Sequence, residues 1–173
     1  MTAYVALLRG VNLVGKSSLK MADLKAIADE LGLESVRTYI ASGNLLFHSK
    51  EPEEKLRRML EAALQQHMGK DIRVMLRTAR EMEAAVRANP FTDAPPRSVQ
   101  AFFMNEAPPK NLLQTVRNVA DDERVAAGVR EVYVAYGEKG IGRSRLRIPA
   151  AEAGTARNMN TVQKLAELAR EME

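Results

Sequence analysis

The chain has 173 residues, 46% hydrophobic and 28% charged, with a formal charge of +4 and a pI near 9.5. That length makes one large domain or two small modules, enough to bury roughly 70% of the unfolded surface, and the composition is that of an ordinary globular protein. Without cysteine, disulfides, thiolate catalysis and thiolate metal sites are excluded, and the opening MTAYVALLRG is too short an apolar run for a signal h-region or a membrane span, so a cytoplasmic location and no membrane partner are expected.

The apolar run AYVALL (Ala3 to Leu8) reads as a buried strand. A Gly-containing loop follows, then a helix with Met21, Leu24, Ile27, Ala28 and Leu31 at helical spacing, stopped by Gly32. Val36 to Ile40 and Leu45 to Phe47 flank Ala41-Ser42-Gly43-Asn44 as a hairpin. Pro52, Glu53 and Glu54 open a second helix whose stripe is Leu56, Met59, Leu60, Ala63 and Leu64. Ile72 to Leu76 is the next strand. Strand, helix, two strands, helix, strand is the ferredoxin-like order.

Thr78-Ala79-Arg80-Glu81 has the form of a capping box, and the helix it starts ends before Pro90. FTDAPPRS (Phe91 to Ser98) is linker-like, which places an N-terminal ferredoxin-like module at 1–90 and a C-terminal α+β module at 91–173. The second half repeats the theme. Val99 to Met104 is a strand, Leu112, Leu113, Val116, Val119 and Ala120 mark a helix, and Arg124 to Ala127 pairs with Val129 to Tyr136 around Gly128. The final helix carries Val162, Leu165, Leu168, Ala169 and Met172. No strand follows it, so the expected fold is α+β, two ferredoxin-like modules with antiparallel sheets, the second incomplete or rearranged.

The positive charge is clustered. Lys139 to Ala151 holds Lys139, Arg143, Arg145 and Arg147 with no acid, and Met1 to Ala22 holds Arg9, Lys16 and Lys20 with none. Such clusters focus the field that attracts anions. Gly10, Gly15, Lys16 and Ser17 also spell the phosphate-loop pattern between a strand and a helix. No apolar strand ends in an aspartate able to hold magnesium, and hairpins imply an antiparallel sheet where nucleotide hydrolases need a parallel one. The loop is therefore expected to bind an anion without hydrolysing it, with Arg9, Asn12 and Lys16 converging. A Gly-containing loop with one exposed lysine is the bland alternative.

Arg143 and Ser144 sit in a Gly-rich loop, where the planar guanidinium suits carboxylates and phosphates. Arg157 precedes the last helix, at whose positive end a cation calls for an anion or an acid such as Glu152. Asn160 is placed to cap that helix, with Gln163 as box partner. Ser42-Gly43-Asn44 is a turn whose polar tips matter if they face Arg9. His48 and His67 have no ligand-spaced neighbours, so no metal site is expected. The nine methionines read mostly as core filler.

Taken in order, LLRGVN with GK (Leu7 to Lys16), Met21, VRTYIASGNLLF (Val36 to Phe47), NPF (Asn89 to Phe91), GRSRL (Gly142 to Leu146) and TARNMNTVQKL (Thr155 to Leu165) closely resemble the bacterial family called domain of unknown function 1697. The resemblance runs nearly end to end and implies an α+β fold of two ferredoxin-like modules. It implies no reaction. Family members typically have asparagine where this chain has Ser17, so the hydrolase-like pattern depends on one variable position. Met159 stands where the family usually has tryptophan, which argues against stacking there, and Arg145 replaces a lysine with its charge kept. The family motifs fall here on Arg9, Gly10, Asn12, Gly15, Lys16, Arg37, Ser42, Gly43, Asn44, Arg143, Ser144, Arg157, Asn158 and Asn160.

The function expected from these residues is binding of a small anionic or phosphorylated ligand in a basic cleft between the two modules. Ligand contacts are assigned to Arg9, Asn12, Lys16, Ser42, Asn44, Arg143, Ser144, Arg157, Asn158 and Asn160, with no cofactor. The alternatives are an enzyme acting on a phosphate-bearing or nucleotide substrate, for which no general base can be nominated, and a nucleic-acid-binding module, whose aromatic signature is thin.

Overall fold

A computed structural model of the chain describes residues 1–13 and 18–173. The first of two compact units comprises Met1–Met82 with Leu165–Glu173, and the second Glu83–Lys164. In the first, β1 (Thr2–Leu8), α1 (Met21–Glu30), β2 (Glu34–Thr38), β3 (Asn44–Ser49), α2 (Glu53–Met68) and β4 (Val74–Thr78) follow one another. The sheet order is β2-β3-β1-β4 with every neighbour antiparallel, the ferredoxin-like arrangement. Its sheet thus differs from the parallel one that phosphate-hydrolysing loops require.

Pleating sends alternate side chains to opposite faces of β1. Tyr4, Ala6 and Leu8 meet Phe47, Leu76 and the α1 and α2 residues Leu24, Leu56 and Leu60 in one core. Each fully buried leucine there contributes about 1.5–3 kcal/mol. Ala3, Val5 and Leu7, on the other face, are buried too, so β1 reads as a continuous apolar run rather than an alternating one. Gly32 and Gly69 take left-handed φ of 79° and 73° to end α1 and α2.

Beyond β4 lie α3 (Ala79–Arg87), β5 (Val99–Phe103), α4 (Leu112–Thr115), β6 (Arg124–Ala127), β7 (Glu131–Ala135), α5 (Gly140–Arg143), β8 (Thr155–Asn158) and α6 (Met159–Glu171). The second sheet has order β6-β7-β5-β8, again antiparallel throughout and again the ferredoxin-like order. Its fourth strand precedes the final helix instead of following it. The four residues of β8 alternate buried Thr155 and Arg157 with half-exposed neighbours, a pattern too polar to announce a strand.

What is rearranged in this module is the helical layer. Its α4 and α5 are four residues each, against ten and sixteen for α1 and α2. The helix expected over 112–120 stops after one turn. Val116 turns extended at ψ 138°, and Arg117 exchanges backbone hydrogen bonds with Arg147 at 2.9 Å each way. Tertiary pairing overrides local periodicity here.

FTDAPPRS is fastened within the second unit. Phe91 is buried with the Arg124 guanidinium 4.8 Å above its ring, and Asp93 accepts both Arg124 Nη1 and Nη2 at 3.1 Å. Among the described residues, no helix is long and apolar enough to cross a membrane.

Candidate functional site

The end of β1 in the first unit gathers several of the predicted residues. Gly10 and Asn12 adopt left-handed φ of 72° and 54°, a conformation that glycine and asparagine tolerate best. Asn12 then uses its whole amide. Nδ2 donates to the carbonyls of Leu19 at 2.8 Å and Ala41 at 2.6 Å, and Oδ1 accepts the Leu19 N–H at 2.7 Å. The two ends of the Gly-rich segment are thereby drawn together and tied to the turn after β2. Gly15, Lys16 and Ser17, the heart of the phosphate-loop pattern, lie outside the described residues.

The turn itself is built by Asn44, fully buried, whose Nδ2 donates to the Tyr39 carbonyl at 2.8 Å and to Ser42 Oγ at 3.0 Å. Gly43, at φ 89°, leaves no room for a side chain. A Cβ there would lie 2.5 Å from Val11 Cγ2 and 3.0 Å from Leu8 Cβ. Ile40, β-branched and 48% exposed, is held at φ 49°, a strained conformation for that residue type.

Arg9 is exposed at the tip of β1, and its N–H donates to the carbonyl of Arg73 at 2.9 Å. Leu8 pairs with Val74, so the next rung sets Arg9 directly opposite Arg73, also exposed. On the other side of β1, the Leu8 N–H donates to the Gly43 carbonyl. The Arg9 backbone therefore lies between the Ser42 turn and Arg73. Sequence reasoning missed Arg73; no motif marks it, and only strand register brings it to Arg9.

In the second unit, Arg143 is exposed at the end of α5. Ser144 is engaged structurally. Its hydroxyl donates to Oε2 of the buried Glu123 and accepts the Leu146 N–H at 3.2 Å, while Glu123 Oε1 accepts the Ala120 N–H at 2.9 Å. Arg157 lies in β8, 6% exposed, with Nη1 donating to Thr155 Oγ1 at 2.7 Å and to the Ala156 carbonyl at 2.9 Å. Burial lowers its guanidinium to about 10, so it remains charged at neutral pH. Glu152, the acid considered for it, ion-pairs with Arg147 at 3.3 Å.

Asn160 is exposed and does not cap α6. Asn158 does, its Oδ1 accepting the Thr161 N–H at 3.0 Å. The strand running into the helix moves the cap two residues earlier than spacing suggested. Met159 is fully buried. His48 Nε2 lies 2.5 Å from the Met172 carbonyl, and His67 lies 3.8 Å from Asp23.

A family model described as "Protein of unknown function (DUF1697)" matches residues 1–133. Among solved structures, the chain is similar to "conserved bacterial protein SP0830 from Streptococcus pneumoniae", at 23% identity and a TM-score of 0.77, with 97% of this chain and 98% of that one covered. That likeness shows the fold. No curated protein matches the sequence.

Proposed function

The chain belongs to the DUF1697 family of proteins of unknown function, and for this member we propose that it binds a small anionic or phosphorylated ligand at the β1 end of the first unit's sheet. The observation that carries the reading is Arg9 set beside Arg73, each one residue past the paired ends of β1 and β4. Like charges directly opposite in a ladder are destabilising, and a phosphate accepts two guanidinium forks at once. Ser42, beside Arg9, supplies a hydroxyl, and Lys16 is the cation that the sequence adds from the Gly-rich segment. Asn12 and Asn44 act as positioning residues: the Asn12 amide ties the two loops together, and the Asn44 amide shapes the Ser42 turn.

Titration of the full chain with inorganic phosphate and pyrophosphate by calorimetry tests the reading. Binding is expected, weakened about tenfold or more by Arg9→Ala or Arg73→Ala, since charged hydrogen bonds are worth about 1.5–3 kcal/mol. Undetectable binding, or affinity unmoved by either variant, would overturn it.

A further inference from the structure

The two units fill the same topological slot differently. Between the third and fourth strands, the first unit lays down the sixteen-residue α2. In the second unit, that crossover holds only α5, the extended run Ser144–Ile148 and a 3-10 turn at Pro149–Ala151. The extended run alternates. Leu146 and Ile148 pack onto the core with Val132 and Val134, and Arg145 and Arg147 are exposed. The bridge to Arg117 then sets Arg117 directly opposite Arg147, so their side chains leave the ladder on the same face.

Arg117 is exposed and makes no ion pair among the described residues. Arg147 shares Glu152, but those side chains are 66% and 57% exposed. An exposed pair of that kind contributes little and yields readily to a competing anion.

Beside Arg147, the thin helical layer leaves a pocket of about 190 Å³. Phe102 and Tyr136 give it aromatic surface, Leu146, Ile148 and Ala151 give it apolar walls, and Arg147 with Glu152 forms its charged rim. Sites for drug-sized ligands run from roughly 300 Å³ upward, so this one admits a single ring. Tyr136 donates its hydroxyl to Gln100 Oε1 at 2.9 Å. Burial, with the Glu123 carboxylate adding to it, pushes that phenol up to about 12, which leaves it neutral and no obstacle to an anion.

We propose that this pocket is a second binding site, distinct from the one at Arg9, for a small carboxylate bearing one ring. The ring lies against Phe102 and Tyr136, and the carboxylate takes the place of Glu152 on Arg147 and reaches Arg117. Guanidinium forks match a carboxylate's planar pair of oxygens.

Phenylacetate and acetate, titrated into the full chain and followed by amide NMR shifts, test the assignment. Phenylacetate is expected to perturb residues 102, 136, 146–148, 150 and 151, and acetate to bind far more weakly because it leaves the apolar walls unused. Arg147→Ala should weaken phenylacetate about tenfold or more. Glu152→Gln should tighten it, since the competing carboxylate loses its charge. Ala151→Leu should block the pocket; Arg147→Ala, a surface change, serves as the decisive variant if that one does not fold. Absence of shifts around the pocket, unchanged affinity in Arg147→Ala, or weaker binding in Glu152→Gln would each overturn the proposal. Phenylacetate binding should persist in Arg9→Ala and Arg73→Ala, which separates this site from the phosphate reading.

Discussion

Arg77 and Arg157 hold the same place in the two modules. Each is the penultimate residue of a fourth strand, each is buried, and each donates Nη1 to the carbonyl of the residue before it at 2.9 Å. In both modules the next residue caps the helix that follows. Thr78 does so through a reciprocal box, its N–H donating to Glu81 Oε1 at 2.9 Å and its Oγ1 accepting the Glu81 N–H at 3.1 Å; Asn158 does so by accepting the Thr161 N–H. The internal repeat is thus one of strand, buried arginine, cap and helix.

Removing the second cap should be felt and removing its neighbour should not. Asn158→Ala is expected to cost about 1 kcal/mol, the usual value of an N-cap. Asn160→Ala, on an exposed helical position, should stay within about 0.5 kcal/mol of the parent. Paired urea denaturation curves measure the difference.

Asn12→Gly isolates the amide from the backbone, because glycine keeps the left-handed φ. Three hydrogen bonds are lost, two of them on the Leu19 peptide. Loss of about 1–3 kcal/mol is expected in chemical denaturation, with phosphate affinity falling as the Gly-rich segment loses its tether.

Arg73→Glu should separate stability from binding. A carboxylate opposite Arg9 replaces a like-charge rung with an attractive one, worth roughly 0.2–1 kcal/mol in favour of the fold. Phosphate binding should disappear in the same variant. A higher melting temperature with abolished phosphate heat is the expected pair of readings.

Ile40→Asn should stabilise the chain. The position carries φ 49°, which costs a β-branched residue of order 1–3 kcal/mol and suits asparagine. With the residue 48% exposed, little apolar burial is forfeited. Thermal denaturation is expected to show a net gain of about 1 kcal/mol.

Tyr136 sets a stability window at high pH. Its phenol is pushed up to about 12, first by burial and then by the Glu123 carboxylate, whereas in the unfolded chain it ionises near 10. Between those values the unfolded state releases the proton more readily. The contribution is therefore whole below about pH 10 and is lost as pH rises towards 12. Tyrosinate absorbance should show a late-titrating phase that Tyr136→Phe removes, with the denaturation midpoint falling over the same range.

The elements that carry strong periodicity or explicit punctuation were legible in the sequence. β1 was visible as an apolar run, α2 as a stripe from Leu56 to Leu64, the box at Thr78 and Glu81 as a cap, and the β6–β7 hairpin through Gly128, whose N–H donates to the Glu131 carbonyl. β8 was not, because two of its four residues are polar side chains buried against hydrogen-bond partners rather than apolar ones. The region after Leu112 misled for the opposite reason. Its apolar spacing is helical, yet Leu113 and Val119 stay 64% and 45% exposed while Arg117 pairs with Arg147.

For the candidate site, residue type marked polar positions, and the fold already uses several of them. Asn44, Ser144 and Asn158 are polar motif residues whose side chains make hydrogen bonds that hold the fold. By itself the sequence determined the ferredoxin-like order of the first module and the clustering of positive charge, since both follow from local pattern along the chain. Only the tertiary structure decided that Arg9 faces Arg73 and that Arg117 faces Arg147. Strand register joins residues 64 and 30 positions apart, and no local pattern encodes which rungs will meet.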